Sequence, residues 1–161
     1  MEAIEQIEQK IWWGYLGEDL QKLISTSHFL FSVVRSGEFH DYAFVVFPAA
    51  KAYEGFLKKL FLDLKFITED DYYGKHFRIG KALNPSLSPD LMREGVYDKI
   101  VKYCNGKELA DVLWETWKES RNLIFHWFPN EKNTITLEEA GDRITMIVGA
   151  IDRSFKECRI N

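Results

Sequence analysis

Arg121, Asn122 and His126 stand close together in the stretch Glu119-Ser120-Arg121-Asn122-Leu123-Ile124-Phe125-His126-Trp127-Phe128-Pro129. An imidazole gives or takes a proton near neutral pH, and a guanidinium donates paired hydrogen bonds to phosphate or carboxylate oxygens. Together they offer a proton carrier and a fixed positive charge. Arg121 and His126 are therefore the candidate catalytic pair. Asn122 is a candidate to orient the imidazole. Read as a helix, the segment puts Asp111, Glu115, Lys118, Asn122 and His126 at three- and four-residue steps along one polar face. His126 then falls in the last turn before Pro129, where the negative end of the helix macrodipole favours a cationic side chain. Arg121 lies five residues earlier, about 140° away around the helix. For the pair to cooperate, either the long arginine reaches around, or a second copy of the helix across a twofold axis supplies the missing half.

The helix that must position these residues is expected from about residue 107 to 128, stopped by Pro129, with Leu109, Val112, Leu113, Thr116, Trp117, Ser120, Leu123 and Ile124 facing the core. Upstream, Leu16, Leu20, Leu23, Ile24, Ser27, Phe31 and Val34 recur at helical spacing. They predict a short helix and then a longer one over residues 4–34, with breaks at Gly14, Gly17 and Ser36-Gly37. A second helical segment is expected over residues 40–67, its first part open to a kink or break before Pro48. Within it Phe47, Ala50, Leu57, Phe61 and Leu64 form an apolar stripe that Glu54 interrupts, while Lys51, Lys58 and Lys65 repeat every seven residues on another face. Residues 68–89 collect turn formers and read as a long functional loop. Asp90 then looks like the N-cap of a short helix reaching about Tyr103 and closed by Asn105-Gly106, and a last helix spans residues 137–158. The expected fold is all-α: one domain over residues 1–161, a bundle of four main helices with a long loop and short extra helices.

The 161 residues, 46% of them hydrophobic and 15% aromatic, supply one core without help from disulfides or metals. A net charge of −4 and a pI near 5.6 argue against a protein whose main task is to coat nucleic acid, so any such contact must be local. Cys104 and Cys158 have no zinc or redox spacing and read as buried or idle thiols in a reducing cytosol. The first ten residues carry three glutamates and no secretion-signal pattern, and the apolar stretch over residues 42–50 falls well short of the ~20 residues a membrane-spanning helix needs. The expectation is a cytoplasmic protein with no membrane partner. With neither a Walker loop nor a G-x-G-x-x-G nor a metal-ligand spacing, no cofactor and no metal are expected.

The segment Arg121-Asn122-Leu123-Ile124-Phe125-His126 resembles the R-x4-6-H signature of HEPN domains, including the polar residue after the arginine. Arg35 and His40 share its spacing, but that pair spans the Ser36-Gly37 break and lacks the polar follower. A second stretch, from Phe47-Pro48-Ala49-Ala50-Lys51 through Glu54 and Lys58 to Phe61, is similar to the early helix of HEPN domains related to bacterial RNase LS toxins, and Phe77-Arg78-Ile79-Gly80-Lys81 fits the same subgroup. The resemblance covers residues 40–158. Toxins of that subgroup carry additional domains, for which this chain has no room. The resemblance implies a HEPN-like bundle and metal-independent cleavage of an RNA substrate at a homodimer cleft. It also implies a toxin restrained by a separate antitoxin protein, or a phage-defence effector. The alternatives are a catalytically inactive HEPN-type dimerisation and scaffold module that binds a protein partner, and an antitoxin-like binding protein.

Other residues carry two readings each. Glu54 either orients Arg121 or His126 from behind, or is tied to a lysine or tyrosine elsewhere in the bundle. Lys51 and Lys58, with Lys65, either track an RNA backbone or are ordinary solvated lysines. His76 and Arg78 either reach substrate from the loop or do nothing specific. His28, near the apolar face of its helix, reads as structural, and Trp127 and Phe128 as a core plug or a dimer contact.

Overall fold

A computed structural model describes residues 1–87, 95–131 and 133–157 of the chain. Among the described residues the protein is all-α, without a strand. The elements in order are α1 (Ile4–Ile7), α2 (Trp13–Leu16), α3 (Glu18–Val33), α4 (Ala43–Asp63), α5 (Glu69–Tyr73), α6 (Ile79–Ala82), α7 (Tyr97–Cys104), α8 (Glu108–Trp117) and α9 (Leu137–Glu157). A π-helical turn (Lys118–Asn122) extends α8, and a 3-10 turn (Pro129–Glu131) precedes α9. The four longest helices, α3, α4, α8 and α9, correspond to the four expected from apolar spacing.

α4 is the central helix. Val45, Val46, Ala49, Ala52, Tyr53, Phe56, Leu57 and Phe61 are fully buried, which is most of its circumference rather than a single stripe. Small residues let its neighbours come close. A Cβ built at Gly55 would lie 2.6 Å from Leu20 of α3, and one at Gly141 of α9 would lie 2.7 Å from the ring of Phe31. α3 therefore packs closely against both long helices at these glycines, and its most extensive contact is with α4. The Tyr53 hydroxyl donates to the Leu113 carbonyl at 3.1 Å and ties α4 to α8 inside the core.

Pro48 lies inside α4 without breaking it. Proline in a helix lacks a donor and crowds the preceding turn. Here the neighbouring Ala49 N–H donates to the buried Ser27 hydroxyl of α3 at 2.8 Å, so a side chain of the packed helix satisfies a main-chain donor beside the proline. The helix begins at Ala43, later than residue 40, because Asp41 accepts from Ala43 N–H at 3.0 Å and turns the chain in.

Three further expectations are corrected. The helix expected over residues 107–128 is α only as far as Trp117, then widens into the π turn, where Leu123 N–H donates five residues back to Lys118 at 2.9 Å. Part of the expected loop over residues 68–89 is helical: Thr68 and Asp71 cap α5 reciprocally, and α6 follows Arg78. Ser88, Pro89 and the Asp90 cap lie outside the described residues. Cys104 is disulfide-bonded, not an idle thiol, and Cys158 lies outside the described residues. Asn105 does close α7, in the left-handed conformation at φ 55°. Among the described residues no helix is long and apolar enough to cross a membrane.

Candidate functional site

The candidate residues lie where α8 gives way to the π turn and that turn crosses α4. Arg121 sits in the turn with its Nη2 3.8 Å from Oε2 of Glu54 on α4, and both side chains are a little over one-third exposed. Its guanidinium carbon lies 4.9 Å over the ring of Trp117, so the cation is held between an aromatic face and a carboxylate. Of the two readings of Glu54, the contact with Arg121 is the one present. Lys51 and Lys58 flank Glu54 three residues before and four after it, on the same side of α4. Lys65 does not continue that row. It lies beyond the end of α4 with φ 58° and lines a different cavity. Asn122 is half-buried in the π turn beside Arg121.

His126 is outside the helix. The π turn adds a residue to the helical repeat and the chain then bends, so the single polar face from Asp111 to His126 is not formed and the macrodipole argument does not apply. The side chain is exposed and lines a cleft of about 650 Å³ together with His40, Asp41, Phe47, Phe125 and Trp127. Arg121 and Asn122 are not among the residues lining it. Phe125 meets Phe47 edge to face, with ring centroids 5.4 Å apart, at one point of α4. Glu54 holds Arg121 seven residues further along, roughly 10 Å at the helical rise. Within one chain, Arg121 and His126 therefore belong to adjacent surfaces rather than to one constellation.

What anchors the His126 bend is the segment before α9. The Asn133 side-chain amide donates to the His126 carbonyl and, at 3.4 Å, to that of Leu123. Two residues on, Ile135 N–H donates to Asp41 at 3.1 Å, and its carbonyl accepts from Tyr42 N–H at 3.0 Å. One short strap thus fixes both walls of the cleft. Sequence reasoning missed His40, Asp41 and Asn133. The only available signal was the Arg35–His40 spacing, set aside because it spans a break.

The remaining candidates fall elsewhere. His76 lines a separate cavity of about 590 Å³ with Lys65 and Lys99, and Arg78 donates to the Lys75 carbonyl at 2.7 Å. His28 is buried with its Nε2 unpartnered, and burial lowers its pKa from the usual histidine value, with a smaller contribution from the positive N-terminus. Trp127 is 81% exposed and Phe128 42%, so neither is a core plug. Among the described residues no three or more histidine, cysteine, aspartate or glutamate side chains are grouped to hold a metal ion. Comparison with protein-family models, with curated protein sequences and with solved structures finds no match to the chain.

Proposed function

We propose that the chain is a metal-independent endoribonuclease of the HEPN type that works as a homodimer, the toxin of a toxin-antitoxin or phage-defence system held in check by a separate antitoxin protein. The observation that carries this reading is the division of the site. His126 is exposed on an open cleft, while Arg121 is held half-exposed beside Glu54 about two helical turns along α4. A twofold copy facing this surface would bring the arginine of one protomer to the cleft of the other. Phe39, Phe44 and Phe128, exposed aromatics outside the cleft lining, are apolar surface that such a copy would cover.

In the reaction, a histidine takes the proton of a ribose 2′-hydroxyl, the 2′-oxygen bonds to the adjacent phosphorus, and the bond from phosphorus to the 5′-oxygen breaks as that oxygen gains a proton. Arg121 stabilises the charge on the non-bridging oxygens, Asn122 donates to one of them, and Lys51 and Lys58 follow the RNA backbone. The products are a 2′,3′-cyclic phosphate and a 5′-hydroxyl.

The test is incubation of purified protein with mixed RNA in EDTA, wild type beside His126→Ala, with end-group analysis of the fragments. Cleavage by wild type alone, leaving cyclic phosphates, is expected. No cleavage by a folded wild-type dimer selects the scaffold reading, which the acidic net charge favours. Sedimentation showing only monomer at micromolar protein would remove the shared cleft.

A further inference from the structure

We infer that His40 is the second proton-transfer residue of the cleft, paired with His126 of the same protomer. The inference rests on the ribonuclease reading and deepens it: both imidazoles come from one copy of the chain. Both His40 and His126 line the one cleft, and both are exposed to it. Their chain segments are far apart in the sequence, yet a single strap holds them. Asn133 grips the His126 carbonyl, and Ile135 pairs with Asp41 and Tyr42, directly after His40. Asp41 spends one carboxylate oxygen on two main-chain N–H groups, those of Ala43 and Ile135. That bond pattern locks the backbone next to His40 at the start of α4, and preorganised backbone is what a proton-transfer residue needs if it is to act without rearrangement.

The cleft volume of about 650 Å³ lies within the ~300–1,000 Å³ range of small-molecule sites and accommodates a nucleotide. Phe47, Phe125 and Trp127 on its walls provide aromatic surface on which a base can stack, so the substrate class is single-stranded RNA with one nucleotide seated between the two histidines. One imidazole accepts the 2′-hydroxyl proton and the other donates a proton to the departing 5′-oxygen. Each ends in the other's starting protonation state, and exchange with water restores both. Arg121 plays no part in these proton transfers.

The experiment compares wild type, His126→Ala, His40→Ala and His40→Gln on RNA and on the same RNA carrying sulfur in place of the 5′-bridging oxygen. Sulfur leaves without protonation, so a variant lacking only the general acid recovers. His40→Ala and His40→Gln are expected to lose at least about 100-fold on RNA. On the sulfur substrate, one of the two alanine variants should come within about tenfold of wild type, which identifies the acid. Thermal denaturation checks that both His40 variants stay folded. A heterodimer of one His40→Ala and one His126→Ala chain should stay inactive, because neither cleft is complete.

Wild-type rates for both His40 variants, beside an inactive His126→Ala, would overturn the pairing and leave the ribonuclease reading standing. Half-activity in the heterodimer would overturn the same-protomer assignment, and failure of the sulfur substrate to rescue either histidine variant would overturn the acid-base roles. A silent wild type would remove both readings.

Discussion

Ser27→Ala tests how α4 passes through Pro48. The Ser27 hydroxyl is fully buried and accepts from Ala49 N–H at 2.8 Å. Alanine keeps the helix propensity of α3 and removes only the acceptor. The donor left behind is buried beside a residue that has no N–H of its own, and an unsatisfied buried donor costs about 1–3 kcal/mol. For a chain of this length each kcal/mol lowers Tm by about 2–4 °C, so a fall of roughly 3–10 °C is expected in thermal unfolding followed by helical circular dichroism. The control is Thr26→Ala, one residue away on the exposed side, whose hydroxyl only donates to the Lys22 carbonyl of its own helix. It should change stability by no more than ~0.5 kcal/mol. The sharper form is a double-mutant cycle with Pro48→Ala, which restores a main-chain donor and lets the helix regularise. The cost of Ser27→Ala should then shrink by at least ~0.5 kcal/mol. A Tm within 1 °C of wild type for Ser27→Ala, taking ~1 °C as the resolution of such a melt, would refute the claim that this hydroxyl supports the proline-containing turn.

Other substitutions probe the site and the core. Glu54→Gln removes a pair that is over one-third exposed on both sides, so it should cost under ~1 kcal/mol of stability while reducing RNA cleavage by up to about 100-fold through misplacement of Arg121; equal rates for the two proteins would show that the carboxylate does not position the arginine. Gly80→Ala would place a Cβ 2.8 Å from Trp117 Nε1, forcing the ring under Arg121 to move; a loss of about 1–3 kcal/mol in urea unfolding is expected, and unchanged stability would mean that the α6 segment yields instead. Burial depresses the folded pKa of His28 below its unfolded value, so the folded state binds fewer protons there. Stability from this residue is full above about pH 6.5 and falls as pH drops towards the folded pKa, by at most ~1.4 kcal/mol per pH unit. His28→Leu should flatten the urea-midpoint profile between about pH 7 and 5, and an unaltered slope would assign it to other groups.

The longer helices were readable because spacing and breakers agreed: Gly17 before α3, Asn105 after α7 and apolar periodicity in α9 mark boundaries within a few residues of those observed. The π turn was not readable. No glycine or proline lies between Lys107 and Pro129, and what widens the helix is tertiary: Ser120 reaches the Arg143 carbonyl at 3.3 Å, and α9 and α4 both pack on the turn. That one departure changed the meaning of the candidate motif. Sequence spacing put His126 on a helical face with Asn122, whereas the added residue and the following bend carry it into a cleft with His40. His40 lies past the Ser36-Gly37 break, and that break is what allows the segment to fold back against Ile135. Residues joined by a short tertiary strap leave no periodic trace in the sequence.

Under the ribonuclease reading, the Arg121–Glu54 pair explains how a cation that meets phosphate can wait in a protein of net charge −4. At 3.8 Å, with both partners over one-third exposed, the contact is worth no more than ~1 kcal/mol, a factor of about five in an equilibrium. An RNA phosphate, with two oxygens for a bidentate guanidinium contact, competes with that easily. A fully buried pair would not yield, since removing one partner of such a pair costs ~3–5 kcal/mol. Under the ribonuclease reading, Glu54 therefore acts as a stand-in for phosphate. Trp117 supplies the face on which the guanidinium rests, and the carboxylate sets its direction. Neither holds it so tightly that substrate must pull it free. Replacing Glu54 by an uncharged side chain leaves the stacking and loses the direction, which is why the expected loss is in rate rather than in stability.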